Sequence, residues 1–237
     1  MNTKAIYLWV FILGISLSAC DDDDNPTPDF DYEFGFVDEG ADGWEVDFAD
    51  YPPNVGTDYD FDSEFTTLPE PLDTTVPALR ISGTNRSDDL FMFAKRKLTN
   101  LPANQTFEVR IEASFASDAA SNAVGIGGPP GESVYIKAGV IPEEPTVSTD
   151  SMGWLRADFD KGNQSQIGAQ AVSLGTAANG TDEFEYVLLD RDAESTMTLE
   201  TDENGEAWLY IGSDSGFEGT TTLYYRRIWV YLDMQSL

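Results

Sequence analysis

Almost every side chain in this sequence that could do chemistry is a carboxylate. Of 237 residues, 43 are Asp or Glu, 13 are Lys or Arg, none is His and only one, Cys20, is Cys. Thiol catalysis, imidazole or thiolate zinc sites and disulfides within the chain are thereby excluded. Ser213 and Ser215 flank Asp214, but no histidine is there to take a serine proton in a triad. Three options remain: carboxylate acid–base catalysis, hard-cation binding through oxygen, or binding without reaction. A formal charge of −30 repels phosphate backbones, which excludes nucleic acid as a partner.

The polar residues that could act are concentrated in four segments. These are Asn85-Arg86-Ser87-Asp88-Asp89, Lys161-Gly162-Asn163-Gln164-Ser165, Asp214-Ser215-Gly216-Phe217-Glu218-Gly219, and the glycine-rich run Gly125–Gly131 with Glu132 after it. The glycine-rich run is no phosphate loop, because Pro129 and Pro130 remove amide donors and no helix pattern follows. Asn, Asp, Arg and Gln groups next to an aromatic ring are what an array of sugar hydroxyls needs. Function also tends to sit on loops held by a rigid scaffold. The expected binding set is therefore Arg86, Asp88, Asp89, Glu132, Lys161, Asn163, Gln164, Asp214 and Glu218, gathered in one region. The same acids, Asp88, Asp89, Glu132, Asp214 and Glu218, are the candidates for a glycan hydrolase or lyase, since a glycosidase needs two carboxyls about 5 to 9.5 Å apart.

A metal reading falls on Asp58-Tyr59-Asp60-Phe61-Asp62-Ser63-Glu64. Calcium through Asp58, Asp60 and Asp62 is one expectation. The EF-hand template is not met, with Ser63 and Pro69 where Gly and Glu are required. An edge strand with a solvated acidic face is the other.

The elements that must carry these loops read as strands. Thr106 to Phe115 alternates cleanly, with Phe107, Val109, Ile111, Ala113 and Phe115 on one face. Comparable runs occur at Trp44–Phe48, Ala78–Ser82, Leu90–Lys95, Val134–Ile141, Trp154–Phe159, Gln166–Leu174, Phe184–Leu189, Ser195–Thr201, Glu206–Ile211 and Thr220–Leu232. No long stripe of helical period is present. The expected fold is all-β, a two-sheet antiparallel β-sandwich of the jelly-roll kind. A hairpin is expected at Glu203-Asn204-Gly205, pairing Leu199 with Leu209 and Met197 with Ile211, with Gly205 left-handed. The last strand carries Arg226 and Arg227 on opposite faces. If it is central, at least one guanidinium is largely buried and needs an acidic partner.

Leu17-Ser18-Ala19-Cys20 resembles the lipobox of bacterial lipoproteins at all four positions. The run before it has one cation, Lys4, and no charge from Ala5 to Leu17. It is too short for a membrane span of roughly 20 residues. The resemblance implies cleavage before Cys20, a diacylglycerol thioether on it and an acylated amine. Several acyl chains, palmitate-like in length, anchor a protein stably where one would not. Asp21-Asp22-Asp23-Asp24 resembles the export signal that sends lipoproteins of Bacteroidota-type bacteria to the cell surface. The expected address is therefore the outer membrane, exposed outward. In enteric-type bacteria an Asp after the lipidated cysteine favours the inner membrane instead. Residues 1–19 are then a signal peptide, 20–29 an acidic, proline-containing tether, and 30–237 one domain.

Within that domain, Phe34-Gly35-Phe36 through Gly43-Trp44, with Glu33 before it, is similar to the opening of galactose-binding-like jelly rolls, which include many carbohydrate-binding modules. The aromatic strand Tyr224–Leu232 is similar to their last strand. In that family an acid on the last strand helps hold a structural calcium. Here Arg226 and Arg227 stand in its place, and an Arg–carboxylate pair is the expected substitute. The leading functional expectation is a membrane-anchored, non-catalytic ligand-binding sandwich whose partner is a glycan. The hydrolase or lyase and a structural lipoprotein that binds a cell-surface protein are the alternatives.

Overall fold

The structure, a computed structural model, describes residues 29–37 and 43–235. The expected signal peptide, the expected lipidation site Cys20 and the expected tether up to Pro28 lie outside the described residues. Sixteen strands and no helix occur among those described. They are β1 (Phe30–Gly35), β2 (Glu45–Ala49), β3 (Asp62–Thr67), β4 (Pro77–Thr84), β5 (Leu90–Leu98) and β6 (Thr106–Ser117). Next come β7 (Val134–Ile141), β8 (Val147–Thr149), β9 (Leu155–Ala157), β10 (Gly162–Asn163) and β11 (Gln166–Ile167). The last are β12 (Val172–Thr176), β13 (Val187–Asp192), β14 (Met197–Glu200), β15 (Ala207–Ser215) and β16 (Thr220–Met234).

The larger sheet runs β13-β6-β16-β4-β3, with β1 also on β16 and β14 also on β6; the smaller runs β12-β7-β15-β5-β2. All pairings are antiparallel. From β4 to β7 the chain changes sheet at every step, as a jelly roll requires, and the result is a two-sheet antiparallel β-sandwich. The alternation of β6 is what places it: Phe107, Val109, Ile111, Ala113 and Phe115 are all buried, while Glu108 is exposed. Each large apolar side chain buried this way contributes about 1.5–3 kcal/mol. The two ends that carry the family resemblance meet in the core, where Phe36 stacks on Trp44 at 4.6 Å and lies 6.3 Å from Tyr225.

The expected hairpin does not form. β14 pairs with β6, Leu199 opposite Phe107, whereas β15 pairs with β5 and β7 in the other sheet. Gly205 is left-handed (φ 69°), but the turn it closes carries the chain from one sheet to the other. Leu199 and Leu209 are both fully buried in one core. They enter that core from opposite sheets.

β16 is central, yet it carries a β-bulge. Tyr225 pairs with Phe115 and Arg227 with Ser114, leaving Arg226 as the extra residue. A bulge advances the alternation by one. Thr221, Leu223 and Tyr225 point inward before it, and Ile228, Val230 and Leu232 after it. Neither arginine is therefore driven into the core. Arg227 stays half-exposed and pairs with Glu33 of β1 at 2.9 Å.

The smaller sheet is buried on both faces, as a near-continuous apolar strand such as Val134–Ile141 requires. Its outer face carries Phe91, Phe93, Lys137, Tyr210 and Asp214, all fully buried. They are covered by a strap, residues 142–171, which places Phe159 against Phe93 and Tyr210 and accepts the Tyr210 hydroxyl at the Gln170 carbonyl, 2.8 Å. A Cβ at position 139 would press on that carbonyl and on the Tyr210 ring, so Gly139 is what lets the strap lie flat.

Candidate functional site

The strand ends put most of the polar loops at one pole. Ser215 pairs with Leu90 and with Val134, and Thr220 with Thr84. The turns before β5 and β7, and the turn between β15 and β16, therefore adjoin. Backbone bonds tie them together: Asn85 N–H to Gly219 O at 3.0 Å, Gly216 N–H to Ser133 O at 2.9 Å and Glu218 N–H to Ile126 O at 2.8 Å.

Three of the expected residues meet directly, in a buried ionic knot between sheet and strap. Asp214 Oδ2 accepts from Lys137 Nζ at 2.8 Å, from Lys161 Nζ at 2.9 Å and from the Gln164 amide at 2.9 Å. Lys137 spends its other two protons on the carbonyls of Lys161 and Gln166, both at 3.0 Å. Lys161 also sits 2.8 Å from Asp50 Oδ2 and 4.8 Å from the Phe91 ring centroid. Arg156 closes the knot from the strap, bonding Asp50 at 3.1 Å and Asp89 at 3.2 Å. Asp50, Asp89 and Asp214 face Lys137, Lys161 and Arg156, and Arg156 also reaches Asp150 at 3.5 Å, so each buried cation has an acidic partner where an unpaired one would be costly.

The acidities follow from that enclosure. Burial pushes the Lys137 ammonium below its usual range, with Asp214 opposing. Burial acts the same way on Lys161, but Asp214 and Asp50 outweigh it and hold the group above the usual range. Asp89 is pushed up to about 7, first by burial and then by Asp50 and Asp214, against Lys161 and Arg156.

The other expected residues lie around the knot without entering it. Gln164 donates its side-chain amide to the Asp88 carbonyl at 2.8 Å, and Asp88 itself is exposed with positive φ. Asn163 is exposed on the small β10–β11 hairpin. Arg86 turns outward to the Asp58 carbonyl, 3.2 Å. Glu132 accepts the Asn122 amide at 2.8 Å, and Glu218 is exposed.

The acidic heptad is not gathered into a ligand set. Asp58 and Asp60 sit in turns and are exposed, Asp60 with φ 46°, and Asp62 on edge strand β3 is paired with Arg80. The positive φ breaks the alternation that would have aligned them. Among the described residues, the one trio of metal-capable groups within 4.8 Å is Asp50, Asp89 and Asp214. Lys161 and Arg156 already hold it, and two cations in contact with the carboxylates disfavour a third.

The same pole carries a cleft that the polar segments did not reveal. About 220 Å³ in volume, it is lined by Ser117, Asp118, Ala119, Val124, Pro130, Phe184, Phe217 and Thr220–Leu223. One wall is apolar, with Val124 97% and Phe184 68% exposed. The Phe217 ring lies so close to Gly125 and Gly219 that a Cβ at either would strike it, which fixes the ring against the glycine-rich loop. The floor is the outward face of β16 and β4, where Thr220 and Thr222 share hydrogen bonds with Thr84 at 2.8 Å and Ser82 at 2.7 Å. Asp118 stands at one side, its carboxyl raised by burial. A larger space of about 620 Å³ opens along the seam of the β2 and β3 edges between Trp44, Glu45, Val46, Ser63, Glu64 and Phe65, away from the loops.

Sequence reasoning missed Lys137, Asp50, Arg156 and the cleft. A lysine inside Val134–Ile141 and the triplet Thr220-Thr221-Thr222 were the available signals. Phe184, set among Asp182, Glu183 and Glu185, offered none.

No protein-family model matches this chain, and no curated protein matches it. Solved structures do. The CBM22-1 xylan-binding domain of Paenibacillus barcinonensis Xyn10C is 13% identical over 86% of this chain and 95% of its own length, with a TM-score of 0.38. The family 11 carbohydrate-binding module of cellulase Lic26A-Cel5E of Clostridium thermocellum is 9% identical over 86% and 95%, at 0.34. The K1 cleaved adhesin domain of Lys-gingipain from Porphyromonas gingivalis W83 is 8% identical over 85% and 97%, at 0.36. The solved structures similar to this chain thus include carbohydrate-binding-module β-sandwiches.

Proposed function

We propose that this protein is a lipid-anchored, outward-facing, non-catalytic glycan-binding module, and that the loop pole of its sandwich is the binding end. The observation that carries this reading is the cleft. An exposed phenyl wall faces a ladder of strand hydroxyls across about 220 Å³. A sugar ring has one apolar C–H face and a rim of hydroxyls, and a small concave site with an aromatic wall and a few placed polar groups suits both. The four polar loops brace this pole, and the buried knot beneath them serves as scaffold. Asp214 is sealed from solvent and occupied by two ammonium groups, so it cannot reach a glycosidic oxygen.

The test is a glycan array probed with the full chain in detergent, with calcium and with chelator. Retained glycans whose binding falls at least tenfold in Phe184→Ala support the reading; an array with no retained glycan overturns it. A hydrolytic reading rests on Asp89 alone, whose acidity near neutral pH would suit a proton donor. Reducing-sugar release that disappears in Asp89→Asn would establish that reading instead.

A further inference from the structure

We infer that the cleft selects a single terminal pyranose that carries no negative charge, with Asp118 as the acceptor of its hydroxyls and Phe184 and Phe217 against its C–H face. The inference rests on the glycan reading of the same cleft and adds the ligand's charge and extent.

Three observations carry it. The first is the isolation of Asp118. This half-buried side chain lines the cleft and accepts no hydrogen bond from any other described residue. Among the described ion pairs none involves it. A carboxylate held this way has acceptor capacity open toward the cleft, and vicinal hydroxyls of a ligand can supply two donors. It repels a uronate or sulfate in the same position, and the −30 charge of the chain adds to that.

The second observation is the state of the floor. Each hydroxyl has one donor and two acceptor positions. Thr220 and Thr222 use one position each on Thr84 and Ser82, which leaves neutral donor and acceptor capacity toward the cleft. No ammonium or guanidinium lines it, so nothing in its walls favours an anion.

The third is size. At about 220 Å³, the cleft falls below the ~300–1,000 Å³ of sites that enclose drug-sized ligands. It holds one ring and not a run of several. A chain would be gripped at its end.

The experiment is calorimetry on the full chain in detergent with two sets of probes, neutral mono- and oligosaccharides of the retained type and the matching uronic acids. The expected result is measurable binding of the neutral set, with uronates at least tenfold weaker and affinity that does not grow beyond the first one or two sugar units. Asp118→Asn lowers neutral affinity several-fold and narrows the gap to uronates, while Thr222→Val weakens both. Unchanged melting temperatures show that these rim variants remain folded. Uronates that bind as tightly as neutral sugars overturn the inference, as does affinity rising steadily with chain length. Neutral binding that survives Asp118→Asn but falls in Phe184→Ala also overturns it, while leaving the glycan reading of the cleft intact. Absence of any sugar binding overturns both.

Discussion

Asp214 accepts three donors without any contact with water, and its worth is read by removing it. Asp214→Ala leaves Lys137 and Lys161 buried with no counter-charge at that position. Breaking a buried pair in this way costs about 3–5 kcal/mol. The expected outcome is an unfolding free energy, measured by urea titration, lowered by that amount, with the strap becoming protease-sensitive first. Asp89 behaves oppositely. Its folded pKa, about 7, lies above the ordinary 3.8, so the folded state binds the proton more tightly than the unfolded chain. Stability from this group is present at low pH and is lost as pH rises from about 4 through 7. Asp89→Asn is expected to flatten that part of the stability–pH curve and to raise stability at pH 8 relative to the parent, measured by denaturant titration at a series of pH values. A variant curve parallel to the parent's would show that Asp89 does not titrate there.

At the level of elements, β6 could be read directly because one face is apolar at every second position, and no other packing satisfies that pattern. The segment from Met197 to Ile211 could not. Leu199 and Leu209 bury equally well as neighbours in one sheet or as opponents across two, so periodicity cannot separate a hairpin from a crossover. The Arg226 bulge was hidden for a similar reason, since a strand with aromatic and aliphatic residues at both parities tolerates either phase. The loops of the site were legible by their density of polar side chains. The cleft's wall was not, because Phe184 sits in an acidic turn. The bulge makes a sharp prediction. Deleting Arg226 removes the phase shift and turns Ile228, Val230 and Leu232 outward, or else drags Thr221, Leu223 and Tyr225 out. Replacing it with Ala keeps the backbone count. The deletion is expected to abolish the cooperative thermal transition, and Arg226→Ala to retain it within a few degrees. Two similar melts would mean that the strand re-registers freely.

For the whole molecule, β1 and the cleft lie at opposite ends of β16. Phe30 pairs with Leu232 at the far end of β16, whereas Thr220 at its near end floors the cleft. Twelve strand residues at roughly 3.3 Å each separate them by about 40 Å. The proposed anchor at Cys20 would therefore reach the described sandwich at the pole opposite the loops. Since Cys20 is the chain's only cysteine, acylation of it would leave no free thiol, and an introduced one would report its own surroundings. Val124, 97% exposed on the cleft rim, is the place to put it. In intact cells of a Bacteroidota-type host, Val124→Cys is expected to react with a membrane-impermeant maleimide while the protein stays in the membrane fraction. Adding Cys20→Ser is expected to abolish acyl labelling and release the protein into the soluble fraction. Labelling of Val124→Cys only after lysis would place the domain inside the outer membrane. Membrane retention with unchanged acyl incorporation in the Cys20→Ser background would remove the lipid anchor from the account.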